Sequence, residues 1–284
     1  MYRYIFIFFL LTVVSCKEFN EHPAIGGGYG KGQLNGEERT GFWEFYRADD
    51  TKEAEGTFVQ DKVSGEWRFY YRKGNIKEIS EWSEGLADGS IVEFYENGEE
   101  KLQGSYKKDL RVGAWNYFTE QGIRTASGTF VKDVKDGKWK FWYESGQLKA
   151  VNHFQLGTPD GVVKEWYENG QLRTKGQYDF GKQTGEWKHY YENGNSAEIS
   201  HWKDGKLNGL STTFWENGKK KMEATYLYGL LNGLTRHWFE SGELKTEGNY
   251  TNNEKDGEYI YYMKDGSIDI KEMYEMGEEV ELKE

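Results

Sequence analysis

Cysteine occurs once in this chain, at Cys16, and proline twice, at Pro23 and Pro159. A single cysteine excludes an intrachain disulfide framework. Two prolines leave nearly every backbone N–H able to pair, so strands can be bonded on both edges. Basic charge is also short. The net charge of −11 argues against nucleic acid as a partner and against electrostatic docking on anionic lipid. The motifs His-Glu-x-x-His, Gly-x-Ser-x-Gly and Cys-x-x-Cys are absent, so the chain reads as a non-enzyme without cofactor or metal. Among the histidines, His153 and His201 share one repeat position and His189 and His237 another. Each pair is two repeats apart, about 20 Å at sheet spacing, too far to share a metal. Helical periodicity is missing too, and glycine recurs too often for long helices.

What the chain does have is glycine in strict register. Gly41, Gly65, Gly89, Gly113, Gly137, Gly161, Gly185, Gly209, Gly233 and Gly257 lie 24 residues apart without a slip. A fixed period of this length is the mark of a repeat array. With each of these glycines as position zero, position nine is again glycine in nine repeats, from Gly74 to Gly266, and Asp50 in the first. Several of these turns read Glu-Asn-Gly, as at Glu96-Asn97-Gly98 and Glu192-Asn193-Gly194. Asn-Gly between aromatic runs predicts a type I′ hairpin turn. Position twenty is Gly, Asp or Asn throughout, residues that tolerate the left-handed region, and marks a second turn.

The stretches between turns are aromatic and alternating, as in Glu66-Trp67-Arg68-Phe69-Tyr70-Tyr71, and read as strands. A two-residue turn at positions eight and nine pairs six with eleven, four with thirteen, two with fifteen and zero with seventeen. One face then carries Trp67, Phe69 and Tyr71, with Leu148, Ala150 and Phe154 from a returning strand, and is the packed face. Position seventeen is aromatic in all ten repeats, from Phe58 to Tyr274, and lies opposite the position-zero glycine, where a ring can cover bare backbone. The expected fold is all-β: an elongated, twisted antiparallel meander of about ten 24-residue hairpin repeats over residues 41–284.

The opposite face is charged except at position five, which is aromatic in every repeat. Its central members, Tyr70, Phe94, Phe118, Trp142, Trp166, Tyr190, Phe214 and Trp238, form the candidate binding stripe. Stacked rings can serve only to stabilise a sheet. Exposed rings with charged rims can also bind a partner. The glutamates of the Glu-Asn-Gly turns recur about 10 Å apart, too far to share a calcium ion, and read as solvated turn residues.

The N-terminus reads as a targeting segment rather than part of the fold. Arg3 precedes an apolar run from Ile5 to Val14, and Val13-Val14-Ser15-Cys16 resembles the bacterial lipobox. The reading is a lipoprotein signal peptide over 1–15, a lipidated Cys16 opening a flexible tether over 16–40, and then the array. The expected address is the bacterial envelope, lipid-anchored, on the outer membrane. More than one acyl chain gives stable attachment.

The run Gly185-Glu186-Trp187-Lys188-His189-Tyr190-Tyr191-Glu192-Asn193-Gly194 resembles the variant MORN repeat, and also the repeat of proteins assigned to the YwqK antitoxin family. The resemblance covers residues 41 to about 277 and implies stacked hairpins acting as a binding scaffold. Position two departs from it in four repeats, with Ile91, Val163, Ser211 and Thr235 in place of tryptophan. The leading functional expectation is a non-catalytic scaffold for an unidentified protein partner. The alternatives are glycan or cell-wall binding through the aromatic stripe, and an antitoxin- or immunity-like role.

Overall fold

The computed structural model describes residues 21–23 and 28–281. The expected signal peptide and Cys16 lie outside the described residues. Among these residues all regular structure is strand, and each strand pairs antiparallel with its chain neighbours. The chain forms two compact units, one up to Val134 and one from Lys135 onward. Both are meanders of hairpins on the 24-residue period, as the sequence predicts.

The array starts earlier than position 41. Tyr29–Asn35 is a strand paired with Glu38–Tyr46, so the part of the expected tether from Tyr29 onward is sheet. Its glycines read as linker, yet one of them has a packing role: a Cβ on Gly32 would lie 2.3 Å from the Trp43 indole.

The type I′ turn expected at Asn-Gly falls instead at the second turn of each repeat. Positive φ at two consecutive residues occurs at positions nineteen and twenty, as in Gln60 (49°) with Asp61 (61°) and Phe180 (43°) with Gly181 (81°). That is the type I′ turn, and it joins Val59 to Lys62 directly. At Glu-Asn-Gly only the glycine has positive φ. There Gly98 N–H donates to Tyr95 O and Tyr95 N–H to Glu99 O. This is a three-residue loop, a type I turn closed by a left-handed glycine.

The longer loop shifts the register by one. Pairing follows the expected frame from Gly41↔Phe58 to Phe45↔Ala54, then Tyr46 pairs with Lys52 across a bulge. Position five therefore faces position eleven, not twelve. Leu148, expected on the packed face, instead pairs with Trp142 of the stripe.

The position-zero glycine is itself a bulge. In the hairpin to the next repeat, Glu55↔Arg68 is followed by Thr57↔Ser64, which sets Gly65, at φ 70°, with Glu66 and Trp67 opposite the single residue Gly56. A Cβ at Gly41 would meet only the Gln33 side chain, and one at Gly65, Gly113 or Gly185 would meet nothing. Rings therefore do not cover this glycine. The covered backbone is at position fifteen, where a Cβ on Gly56, Gly104, Gly176 or Gly248 would lie 1.9–2.3 Å from the ring of Trp67, Trp115, Trp187 or Tyr259. These rings come from position two of the next repeat. Where position two is small, position fifteen is larger: Ser80 precedes Ile91, Asn152 precedes Val163, Ser200 precedes Ser211 and Ala224 precedes Thr235. Trp82 and Trp202 then turn their indole N–H groups onto Ser80 and Ser200.

The packed face of the first unit holds a buried cluster of Trp43, Ala54, Phe58, Val63 and Trp67. Phe58 stands edge-on to Trp67, with centroids 5.1 Å apart at 89°. Arg39 lies 4.1 Å over the Phe58 ring and bonds Asp61 at 2.8 Å. Such T-shaped pairs and cation–π contacts let a single layer bury aromatic area without a second sheet.

Candidate functional site

The ten position-five rings, Tyr46 to Tyr262, are all half-buried, and they lie on the face opposite the buried position-two tryptophans. Tyr46 O–H donates to Glu44 two residues back, and Tyr70 O–H donates to Glu55 on the adjoining strand. Sequence reasoning thus places the stripe of Tyr70, Phe94, Phe118, Trp142, Trp166, Tyr190, Phe214 and Trp238 on one face, and the register keeps it there.

The shifted register determines what surrounds each ring. Position eleven pairs with the ring of its own repeat and reaches toward the ring of the next. Lys52 lies 6.0 Å from the Tyr46 centroid and 5.9 Å from that of Tyr70. Lys220 sits 5.3 Å from the Trp238 ring, and Arg124 5.7 Å from Phe118. Leu148, Leu172, Leu244 and Ile268 take the same place elsewhere. The stripe alternates rings with cations or aliphatics, except at Phe94 and Tyr190, which pair with Glu100 and Ser196.

Its electrostatics are settled locally. Lys52 bonds Glu44 at 2.6 Å and Glu55 at 2.9 Å. These bonds raise the pKa of the ammonium, and that of Lys52 lowers the Glu44 carboxyl. Burial and the Glu55 carboxylate raise the Tyr70 hydroxyl. A pair of this kind keeps its charges at any ordinary pH and has no proton to exchange near neutrality.

The same face is less polar than its sequence suggests. Beyond the stripe, towards the type I′ turns, Phe42, Val59, Leu86 and Leu110 are exposed in the first unit. In the second unit Leu210, Leu227, Leu230 and Leu234 are exposed. Leu227 and Leu230 are direct cross-strand partners. At the turn tips Leu156, Phe180, Tyr228 and Met276 hold positive φ, a conformation unfavourable for bulky side chains, and all four are exposed.

Two ladders missed at the sequence level tie repeat to repeat. Position six contributes a hydroxyl to the position-five carbonyl of the next repeat: Tyr71 to Phe94, Tyr95 to Phe118, Tyr143 to Trp166, Tyr167 to Tyr190 and Tyr191 to Phe214, all at 2.7–2.8 Å. The turn asparagines Asn97, Asn169, Asn193 and Asn217 donate through Nδ2 to the carbonyls of Glu120, Glu192, Glu216 and Glu240. The recurring Tyr and Asn columns were the available signal.

Three histidines are engaged in the sheet. His153 and His201 hold the carbonyls of Val162 and Leu210 through Nδ1, and His189 Nδ1 meets Thr174 Oγ1. Lys219, Lys220, Trp238 and Glu243 border an open depression beside one turn.

Six segments match the family model described as MORN repeat variant: residues 64–83, 135–155, 159–179, 183–204, 207–228 and 231–252. Each begins one or two residues before a position-zero glycine, so the matched unit is the hairpin described above. No curated protein matches the chain. Among solved structures, it is similar to the Photorhabdus luminescens Tc holotoxin pore at 11% identity and a TM-score of 0.21, over 88% of this chain and 16% of that one. It is also similar to TcdB2-TccC3-TEV at 11% identity and a TM-score of 0.20, over 91% of this chain and 17% of that one. The chain thus spans about a sixth of the length of these structures, and likenesses this weak do not bear on its function.

Proposed function

We propose that the chain is a non-catalytic, envelope-anchored scaffold that docks a protein partner on its stripe face. The observation that carries this reading is the exposed apolar set Leu210, Leu227, Leu230 and Leu234 beside the half-buried rings. Exposed apolar side chains of this kind, edged by charge, suit a protein interface. The cations over Tyr70, Phe118 and Trp238 occupy ring faces that a sugar would need, which favours a protein over a glycan on this side. The MORN repeat variant matches agree with a repeat module that binds rather than reacts. The anchor rests on the lone Cys16 after its apolar run.

Affinity capture of the lipidated full-length chain from its own envelope tests the reading. One protein retained in stoichiometric amount supports it, and retention of glycan fragments alone overturns it. For the anchor, Cys16→Ser should abolish acyl labelling and release the chain from membranes; continued membrane attachment would remove that part of the proposal.

A further inference from the structure

One row of the stripe face, beside the type I′ turns, is sorted by charge in the unit from Lys135 onward. Positions eighteen and twenty-one are cross-strand partners there, so each strand contributes one side chain to the row. Successive strands bring three lysines, Lys182, Lys203 and Lys206. Leu227, Leu230 and Thr251 follow. Three glutamates close the row, Glu254, Glu275 and Glu278. At about 4.8 Å per strand the row is about 38 Å long. All six charged residues are exposed, and none enters an ion pair among the described residues. Lys203 stands directly across from Lys206, and Glu275 from Glu278. Like charges so placed repel, so the single chain gains nothing from this order. The same row in the first unit is unsorted, with Val59 opposite Lys62, Ser83 opposite Leu86 and Lys107 opposite Leu110.

This order is complementary to its own reverse. The strand Leu230–Trp238 is its midpoint. Leu227 and Thr251 lie one strand to either side, Lys206 and Glu254 two, Lys203 and Glu275 three, and Lys182 and Glu278 four. A two-fold axis along the midpoint strand, between two copies laid face to face, sets each lysine of one copy over a glutamate of the other. Leu230 and Leu234, 40% and 36% exposed, then meet their own counterparts at the centre. The strands of both copies run in line with the axis, which is the aligned packing of stacked sheets about 10 Å apart. Lysine and glutamate side chains together span that gap.

We propose that the partner docked on this face is a second copy of the chain, held in an isologous, antiparallel contact centred on Leu230 and Leu234. The inference rests on the reading of the stripe face as a protein-docking surface and names its occupant. The leucines supply the apolar centre, and the charges form a complementary rim. Each lysine–glutamate contact occurs twice, once from each copy, as a two-fold contact requires. The charge order also fixes the register. A parallel arrangement sets lysine over lysine and glutamate over glutamate, which is repulsive along the whole row.

The test is sedimentation equilibrium of the lipidated full-length chain in a density-matched non-ionic detergent, beside Lys206→Glu and Glu254→Lys, each alone and the two mixed. The native chain should form a dimer that weakens as salt rises. Either variant alone should dimerise at least tenfold more weakly, because like charges then meet at two contacts. An equimolar mixture of the two should recover the native affinity, because every changed residue again faces its opposite. Both side chains are exposed, so the melting temperatures should match that of the native chain. A native chain that stays monomeric, variants that dimerise as tightly as the native chain, or a mixture no tighter than either variant alone would each overturn the proposal. A monomeric chain that still captures a different envelope protein would overturn it while leaving the docking surface in place. A monomeric chain that captures nothing would remove both.

Discussion

At the scale of single residues, the packed face is governed by the pairing of one bare position with one ring. A Cβ on Gly56 would lie 2.3 Å from the Trp67 indole, and the ring is fixed by an N–H bond to Thr57 O. Gly56→Ala should therefore cost about 1–3 kcal/mol, the usual range for overpacking, read as a shift in denaturant midpoint. Adding Trp67→Ile should recover much of the loss, since Ser80 with Ile91 shows the alternative solution in place. Equal midpoints for Gly56→Ala and the native chain would contradict this account. Glu78 gives a pH signature. It pairs cross-strand with Glu93, and burial raises its carboxyl above 4.5, opposed by the Ser80 hydroxyl and reinforced by Glu93. A folded-state pKa above the unfolded one means that the group's contribution is fully present below the unfolded pKa and is lost as pH rises through the folded value. Glu78→Gln should thus be more stable than the native chain at neutral pH, and the gap should close as pH falls towards 4.5. A gap of constant size across that range would show that the carboxyl is not strained.

At the scale of the hairpin, the 24-residue period, the strands, the two turn positions and the two faces are all legible in the sequence. The turn types are not. Asn-Gly signals a type I′ turn because asparagine tolerates positive φ, yet Asn97 spends its side chain on Glu99 N–H and Glu120 O. The bond to Glu120 lies in the next repeat, and a reading confined to one hairpin cannot find it. The extra loop residue then moves Leu148 from the packed face to the stripe, an error inherited from the turn. The tyrosine ladder gives the scale its test. Tyr191 O–H donates to Phe214 O at 2.7 Å, and Tyr191→Phe keeps the ring. The change should cost about 0.5–1.5 kcal/mol, measured by denaturant unfolding. Trp215 and Phe239 occupy the same column without a hydroxyl, so Phe239→Leu should leave the inter-repeat hydrogen bonding unchanged.

At the scale of the molecule, stability is assembled from neighbour contacts. All ten type I′ turns donate a backbone N–H to the carbonyl twenty-two residues earlier, from Asp61 to Arg39 through Gly277 to Lys255. Each repeat is thus held mainly by the one before it, as in other one-dimensional arrays. Deleting residues 185–208, one whole period, should keep strand content and cooperative unfolding with a lower midpoint. Deleting twelve residues should instead bring unlike faces into register and abolish the folded state. The sequence shows the stripe but hides the exposed apolar rows, because Leu210, Leu227, Leu230 and Leu234 look like ordinary strand residues until the pairing assigns their face. That surface carries the central claim, that the chain holds a protein partner there. The most direct measurement is cross-linking capture from the native envelope with the full-length chain and with Leu227→Lys plus Leu230→Glu, opposite charges on paired positions, quantified side by side. The account predicts one protein recovered with the native chain and lost with the variant at an unchanged melting temperature. Equal recovery of that protein with both chains, or no protein recovered with either, would contradict it.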